Sequence, residues 1–116
     1  MHISEKFSKG QKKALVDIDE TISFYPGIRQ YDKAEPILEN IAKINQLVED
    51  GWYITYWTAR GSVSKQDYFT YTQDQLKSWG CRFHDLIVGY SEDGSRPTKP
   101  HFDMVIDDKA IRIEEL

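Results

Sequence analysis

The chain has 116 residues and 13.6 kDa, and its 15 Lys+Arg against 19 Asp+Glu set a formal net charge of −4 at pH 7. That length supports one hydrophobic core, so residues 1–116 are expected to form a single domain, and the 40 % hydrophobic, 29 % charged composition excludes a chain too polar to fold. An acidic balance argues against a general nucleic-acid binder, which needs a basic stripe to displace counterions from phosphates.

No apolar run is long enough to span a bilayer, and the start, Met1 to Lys6, lacks the apolar centre of a signal peptide; the expected location is the cytoplasm, with no membrane partner. Cys81 stands alone, so no intramolecular disulfide is expected. His2, His84 and His101 are too scattered for a ligand set and are expected at the surface or behind other site residues.

In chain order, Lys12 to Asp19 is a short apolar run bounded by charge and predicts a buried strand. Glu20 to Glu35 has no sustained period and holds Pro26-Gly27, which predicts an irregular loop or short hairpin. Pro36 opens a helical pattern in which Ile37, Ile41, Ile44, Leu47 and Val48 share a face and Gly51 is the stop. Tyr53 to Thr58, aromatic and β-branched, predicts a second strand.

Ser62 or Ser64 can cap a second helix reaching Trp79, with Tyr68, Phe69, Thr72, Leu76 and Trp79 on one side and Gly80 as its stop. Tyr68, Phe69, Tyr71 and Trp79 could serve an oligomer interface, but core packing is the expected use; a homo-oligomer is left open. Asp85 to Gly89 is a third short strand. Tyr90 to Pro100, with Asp93-Gly94, predicts a hairpin or exposed loop. Asp103 to Asp107 is a fourth strand, and Ala110 to Leu116 a short terminal helix. This order predicts an α/β fold, a Rossmann-like three-layer sandwich with a mostly parallel sheet.

Ligands of such sheets sit outside the carboxyl ends of the strands. Those ends carry Asp17-Ile18-Asp19-Glu20-Thr21, Thr58-Ala59-Arg60-Gly61 and Asp107-Asp108-Lys109. Asp17 and Asp19 are two apart in an extended segment and can face one site while Ile18 anchors in the core. Four carboxylates in one cleft repel one another without a cation, and all-oxygen donors favour Mg²⁺ over Ca²⁺ in the absence of a dense ligand loop.

On these motifs the chain resembles the haloacid dehalogenase (HAD) superfamily of aspartyl phosphatases. The likeness runs from about Lys13 to Arg112. It rests on Asp17-Ile18-Asp19-Glu20-Thr21 after an apolar strand, Thr58 at a strand end, Lys99 in Lys99-Pro100-His101, and Asp107-Asp108 after Val105-Ile106. Tyr31-Asp32-x-Ala34-x-Pro36-Ile37-Leu38, Thr58-Ala59-Arg60-Gly61 and Asp107-Asp108-Lys109-Ala110-Ile111-Arg112 look most like its small cap-less members of capsule or sugar-phosphate biosynthesis.

The resemblance implies Asp17 as nucleophile and Asp19 as general acid and base. It implies Thr58 and Lys99 on the transferring phosphoryl group, and Mg²⁺ held by Asp17, the Asp19 carbonyl, Asp107 and Asp108. Lys99 lies further downstream than the superfamily's usual lysine, and Glu20 stands where a glycine is frequent. Arg60, Lys109, Tyr25, Arg29 and Tyr31 could line the mouth and read the leaving group, and Arg60 could pair there with a phosphate or with an acidic neighbour. Only 36 residues separate Thr21 from Thr58, which leaves no room for a cap there.

The function implied is a Mg²⁺-dependent phosphomonoester hydrolase with an aspartyl-phosphate intermediate, acting on a small phosphorylated substrate such as a sugar phosphate. The rivals are a phosphatase of nucleotides or nucleic-acid ends, and a non-catalytic HAD-fold binding or regulatory module.

Overall fold

The computed structural model describes residues 2–3, 10–91, 102–107 and 113. The chain runs β1 (Lys13–Asp17), β2 (Ser23–Phe24), a 3₁₀ turn (Tyr31–Lys33), β3 (Glu35–Pro36), α1 (Leu38–Glu49), β4 (Tyr53–Trp57), α2 (Phe69–Ser78), β5 (Asp85–Ile87) and β6 (Met104–Ile106). Four strands form one sheet in the order β5-β4-β1-β6, every neighbouring pair parallel. The fold is α/β and Rossmann-like.

The central strands are apolar on both faces, as strands of a covered parallel sheet must be. Ala14, Leu15 and Val16 of β1 and Tyr53, Ile54, Thr55 and Tyr56 of β4 are all buried. Of these, Ala14, Val16, Ile54 and Tyr56 meet Ile41 and Ile44 of α1 and Leu76 of α2 in one core that also takes in Phe83, Leu86 and Ile106.

Both glycine stops form as the sequence requires. After α1, Gly51 at φ 96° donates to the Val48 carbonyl while the Trp52 N–H reaches Leu47; after α2, Gly80 at φ 80° and Cys81 repeat the arrangement on Lys77 and Leu76. These are Schellman closures, which satisfy carbonyls left over at a helix end and need a left-handed residue.

Three expectations are corrected. The first helix begins at Leu38, because Pro36 pairs with Ser23 in a two-stranded ribbon of β2 and β3. The second begins at Phe69 and not at Ser62 or Ser64: residues 61–65 form turns in which the Lys65 N–H reaches the Gly61 carbonyl, and the Asp67 carboxylate accepts the Phe69 N–H at 2.9 Å. His84 is interior, its ring nitrogen accepting the Ile54 N–H at 3.0 Å and its face stacked on Tyr53. Most of the Tyr90 to Pro100 loop and of the terminal helix expected over residues 110–116 lies outside the described residues. No helix among the described residues is long and apolar enough to cross a membrane.

Candidate active site

The chain steps from β1 to β4 to β5 along one side of the sheet and then returns to place β6 on the other side of β1. Strand order therefore reverses at β1, and the carboxyl ends of β1 and β6 are where open sheets of this kind bind ligands. Asp17 ends β1. Register pairs Val16 with Ile106 and Asp17 with Trp57, so Asp107 and Thr58, each one step beyond its strand, flank Asp17 on either side. Sheet register alone thus brings together three of the expected site residues. The Asp17 carboxylate accepts the Ile18 N–H at 3.0 Å, which fixes it against its own backbone.

Beyond Asp17 the chain turns sharply. Ile18 is fully buried, as expected, and its carbonyl accepts the N–H groups of Thr21 and Ile22. Glu20 is left-handed at φ 71°, a conformation that costs a residue with a Cβ and explains why a glycine suits this position. The turn carries Asp19 toward β4, where its carboxylate is fully occupied. Arg60 Nη2 donates to Oδ1 at 2.8 Å and Arg60 Nε to Oδ2 at 3.2 Å, the Tyr25 hydroxyl donates to Oδ1 at 2.7 Å, and the Thr58 hydroxyl to Oδ2 at 3.2 Å.

Burial alone would raise the Asp19 pKa, but Arg60, Tyr25 and Thr58 outweigh it and hold the carboxyl below its ordinary 3.8. Asp19 is thus an anion at neutral pH in this arrangement. Burial raises the pKa of the Tyr25 hydroxyl, and its hydrogen bond to Asp19 and then the Asp19 charge raise it further.

Arg60 is 2 % exposed, so it is an interior residue and not part of the mouth. Of the two partners the sequence allowed, it takes the acidic neighbour. Its Nη1 donates to Gln75 Oε1 at 2.6 Å and to the Thr72 hydroxyl at 3.4 Å, and its guanidinium lies 4.7 Å over the Tyr31 ring. Gln75 in turn donates to the Tyr31 carbonyl at 2.8 Å. In the sequence Thr72 stands only as part of a helix face, and Gln75 is not singled out. Their spacing of three on a helix facing Arg60 was the available signal.

The second strand end is held from below. Thr58 N–H donates to the Ile87 carbonyl and Gly89 N–H to the Arg60 carbonyl, both at 3.0 Å, and a Cβ on Gly89 would lie 2.4 Å from the Ala59 carbonyl oxygen. Glycine is required there by close approach. Among the described residues no three His, Cys, Asp or Glu side chains converge on one point, and Asp17 and Asp107 are the pair that could hold a hard cation. Lys99, Asp108 and Lys109 lie outside the described residues.

No protein-family model and no curated protein matches the chain. A crystal structure of a target protein from Vibrio cholerae is similar to it, with a TM-score of 0.66 and 22 % identity over 90 % of this chain and 86 % of that one. The two share a fold. At that identity the likeness extends no further than the architecture that places Asp17, Thr58 and Asp107 at adjoining strand ends.

Proposed function

We propose that the protein is a HAD-type phosphomonoester hydrolase without a cap domain, acting on a small phosphorylated metabolite. The observation that carries this reading is the meeting of Asp17, Thr58 and Asp107 at three adjoining carboxyl ends around the reversal of strand order. The donor chemistry fits Mg²⁺, which takes one or two carboxylates and keeps several waters and a substrate oxygen; Asp17 and Asp107 would hold it, with the Asp19 carbonyl and Asp108 as further candidates. When bound it would supply positive charge that lets an anionic ester approach an anionic nucleophile.

Asp17 attacks phosphorus in line, forming an O–P bond as the bond to the leaving oxygen breaks, and water then cleaves the aspartyl-phosphate. The Thr58 hydroxyl turns from Asp19 Oδ2 to donate to a phosphoryl oxygen. Asp19 delivers a proton to the leaving oxygen and later takes one from water. Because Arg60 keeps Asp19 ionised, loading that proton requires the contact to loosen; Arg60 is the residue that positions the Asp19 carboxylate.

Hydrolysis of p-nitrophenyl phosphate with and without Mg²⁺, beside Asp17→Asn, tests the reading. Turnover should require the metal and fall by at least about a thousandfold in the variant. Metal-independent turnover, or an Asn variant of undiminished activity, overturns it.

A further inference from the structure

A cleft of about 700 Å³, a volume suited to a small organic ligand, opens beside the Asp19–Arg60 pair and is lined by Arg29, Gln30, Tyr31, Asp32, Tyr68 and Tyr71. Tyr31 joins the two places, since its ring carries the Arg60 guanidinium. Tyr68 stands nearly perpendicular to both neighbouring rings, at 4.9 Å and 82° from Tyr31 and at 6.2 Å and 84° from Tyr71. Tyr71 is 42 % exposed. Core packing, the use expected of this residue, therefore does not account for it.

Crossed tyrosine rings are a receptor for cations, because each π face carries negative charge density. Charge in the lining points the same way. Arg60 is paired with Asp19, and Arg29 with Glu20 at 2.6 Å while stacked over Tyr25, whereas Asp32 is in no ion pair among the described residues. The Asp32 charge also acts on Tyr71, whose pKa is raised first by burial and then by that carboxylate.

We propose that this cleft binds an organic ammonium ion among Tyr31, Tyr68 and Tyr71 with Asp32 as counter-charge, and that the substrate is the phosphomonoester of an amino alcohol. The second half rests on the phosphatase reading; the first does not. A neutral ring or sugar would use the tyrosine faces but gain nothing from the Asp32 charge.

Choline and its carbon isostere 3,3-dimethylbutan-1-ol separate charge from shape. In an NMR titration at fixed ionic strength, choline should shift the ring resonances of the three tyrosines and bind about tenfold or more tightly than the alcohol. Tyr68→Leu and the exposed Asp32→Asn should each weaken choline about fivefold or more. Phosphocholine should exceed 3,3-dimethylbutyl phosphate about tenfold in kcat/KM, an advantage that Asp32→Asn removes. Equal binding of the alcohol, tighter binding of glucose or adenosine, or no choline binding at about 50 mM overturns the cation site. Choline binding without turnover of any phosphoester keeps the cation site and overturns its role in substrate selection. Turnover of p-nitrophenyl phosphate without choline binding overturns the cation site and leaves the phosphatase reading standing.

Discussion

Arg60 grips Asp19 at two points, Nη2 on Oδ1 at 2.8 Å and Nε on Oδ2 at 3.2 Å, with the arginine side chain 1 % and the aspartate side chain 11 % exposed. Removing one partner of such a pair strands a buried charge, so Arg60→Met should cost about 3–5 kcal/mol in urea unfolding. The double variant Arg60→Met/Asp19→Leu should regain much of that loss, because replacing both charges removes the desolvation penalty as well as the attraction. A double variant no more stable than Arg60→Met alone contradicts this account of the pair.

The pH dependence follows from the same contact. The folded Asp19 pKa lies below the ordinary 3.8. Between the two values the unfolded state binds more protons, so stability rises with pH there. The contribution is fully present above the unfolded value and is lost as pH falls through the folded one. Carboxyl ¹³C shifts followed from pH 7 to 2 should show Asp19 titrating late, and in Arg60→Gln it should titrate at a higher pH than in the parent. If the phosphatase reading holds, that variant also moves the pH profile of kcat/KM, which a purely structural role for Arg60 would leave in place.

Gly89 couples the end of β5 to the Thr58–Arg60 turn. Gly89→Ala drives a Cβ to within 2.4 Å of the Ala59 carbonyl oxygen and 3.0 Å of the Ser62 Cβ, and the backbone has to yield. About 1–3 kcal/mol of stability should be lost. If the phosphatase reading holds, displacement of the Thr58 hydroxyl should also lower kcat/KM by about tenfold to a hundredfold. Unchanged turnover in a stably folded Gly89→Ala protein would show that the Thr58 turn does not need this close packing.

Cys81 is fully buried, and burial raises its thiol to about 12. At pH 8 only about one thiol in ten thousand is then ionised. Iodoacetamide should label Cys81 at the rate of global unfolding, with labelling becoming rapid in urea. Fast labelling of the native protein would contradict its burial.

Elements whose patterns are local were legible in the chain. The Ile41–Ile44 face of α1, the Gly51 and Gly80 stops and the apolar strands form where periodicity puts them, because each depends on near neighbours. The start of α2 was not legible. Ser62 and Ser64 have the chemistry of caps, yet the Ser64-Lys65-Gln66-Asp67 stretch has no apolar residue to anchor a first turn, and Asp67 was the better signal.

Within the candidate site, Asp17, Thr58 and Asp107 were legible because polar residues closing apolar strands must lie at one edge of a parallel sheet. The partner of Arg60 was not, since it depends on a left-handed turn at Glu20 that redirects Asp19. Nor was the tyrosine cleft, whose members come from the 3₁₀ turn at Tyr31–Lys33 and from the start of α2, far apart in the chain.

The position of β6 bears on how the protein comes into being. β1 is flanked by β4 on one side and by β6 on the other, and β6 is the last strand of the sheet to leave the ribosome. Until then the growing polypeptide exposes one edge of β1, a strand with a buried Ala14-Leu15-Val16 centre and the kind of surface on which chains add to one another. Synthesis halted before Met104 would yield a chain that holds Asp17 and Thr58, lacks Asp107, and carries an open template for aggregation. Covering that edge and bringing Asp107 beside Asp17 are therefore one event, the addition of β6 to the sheet.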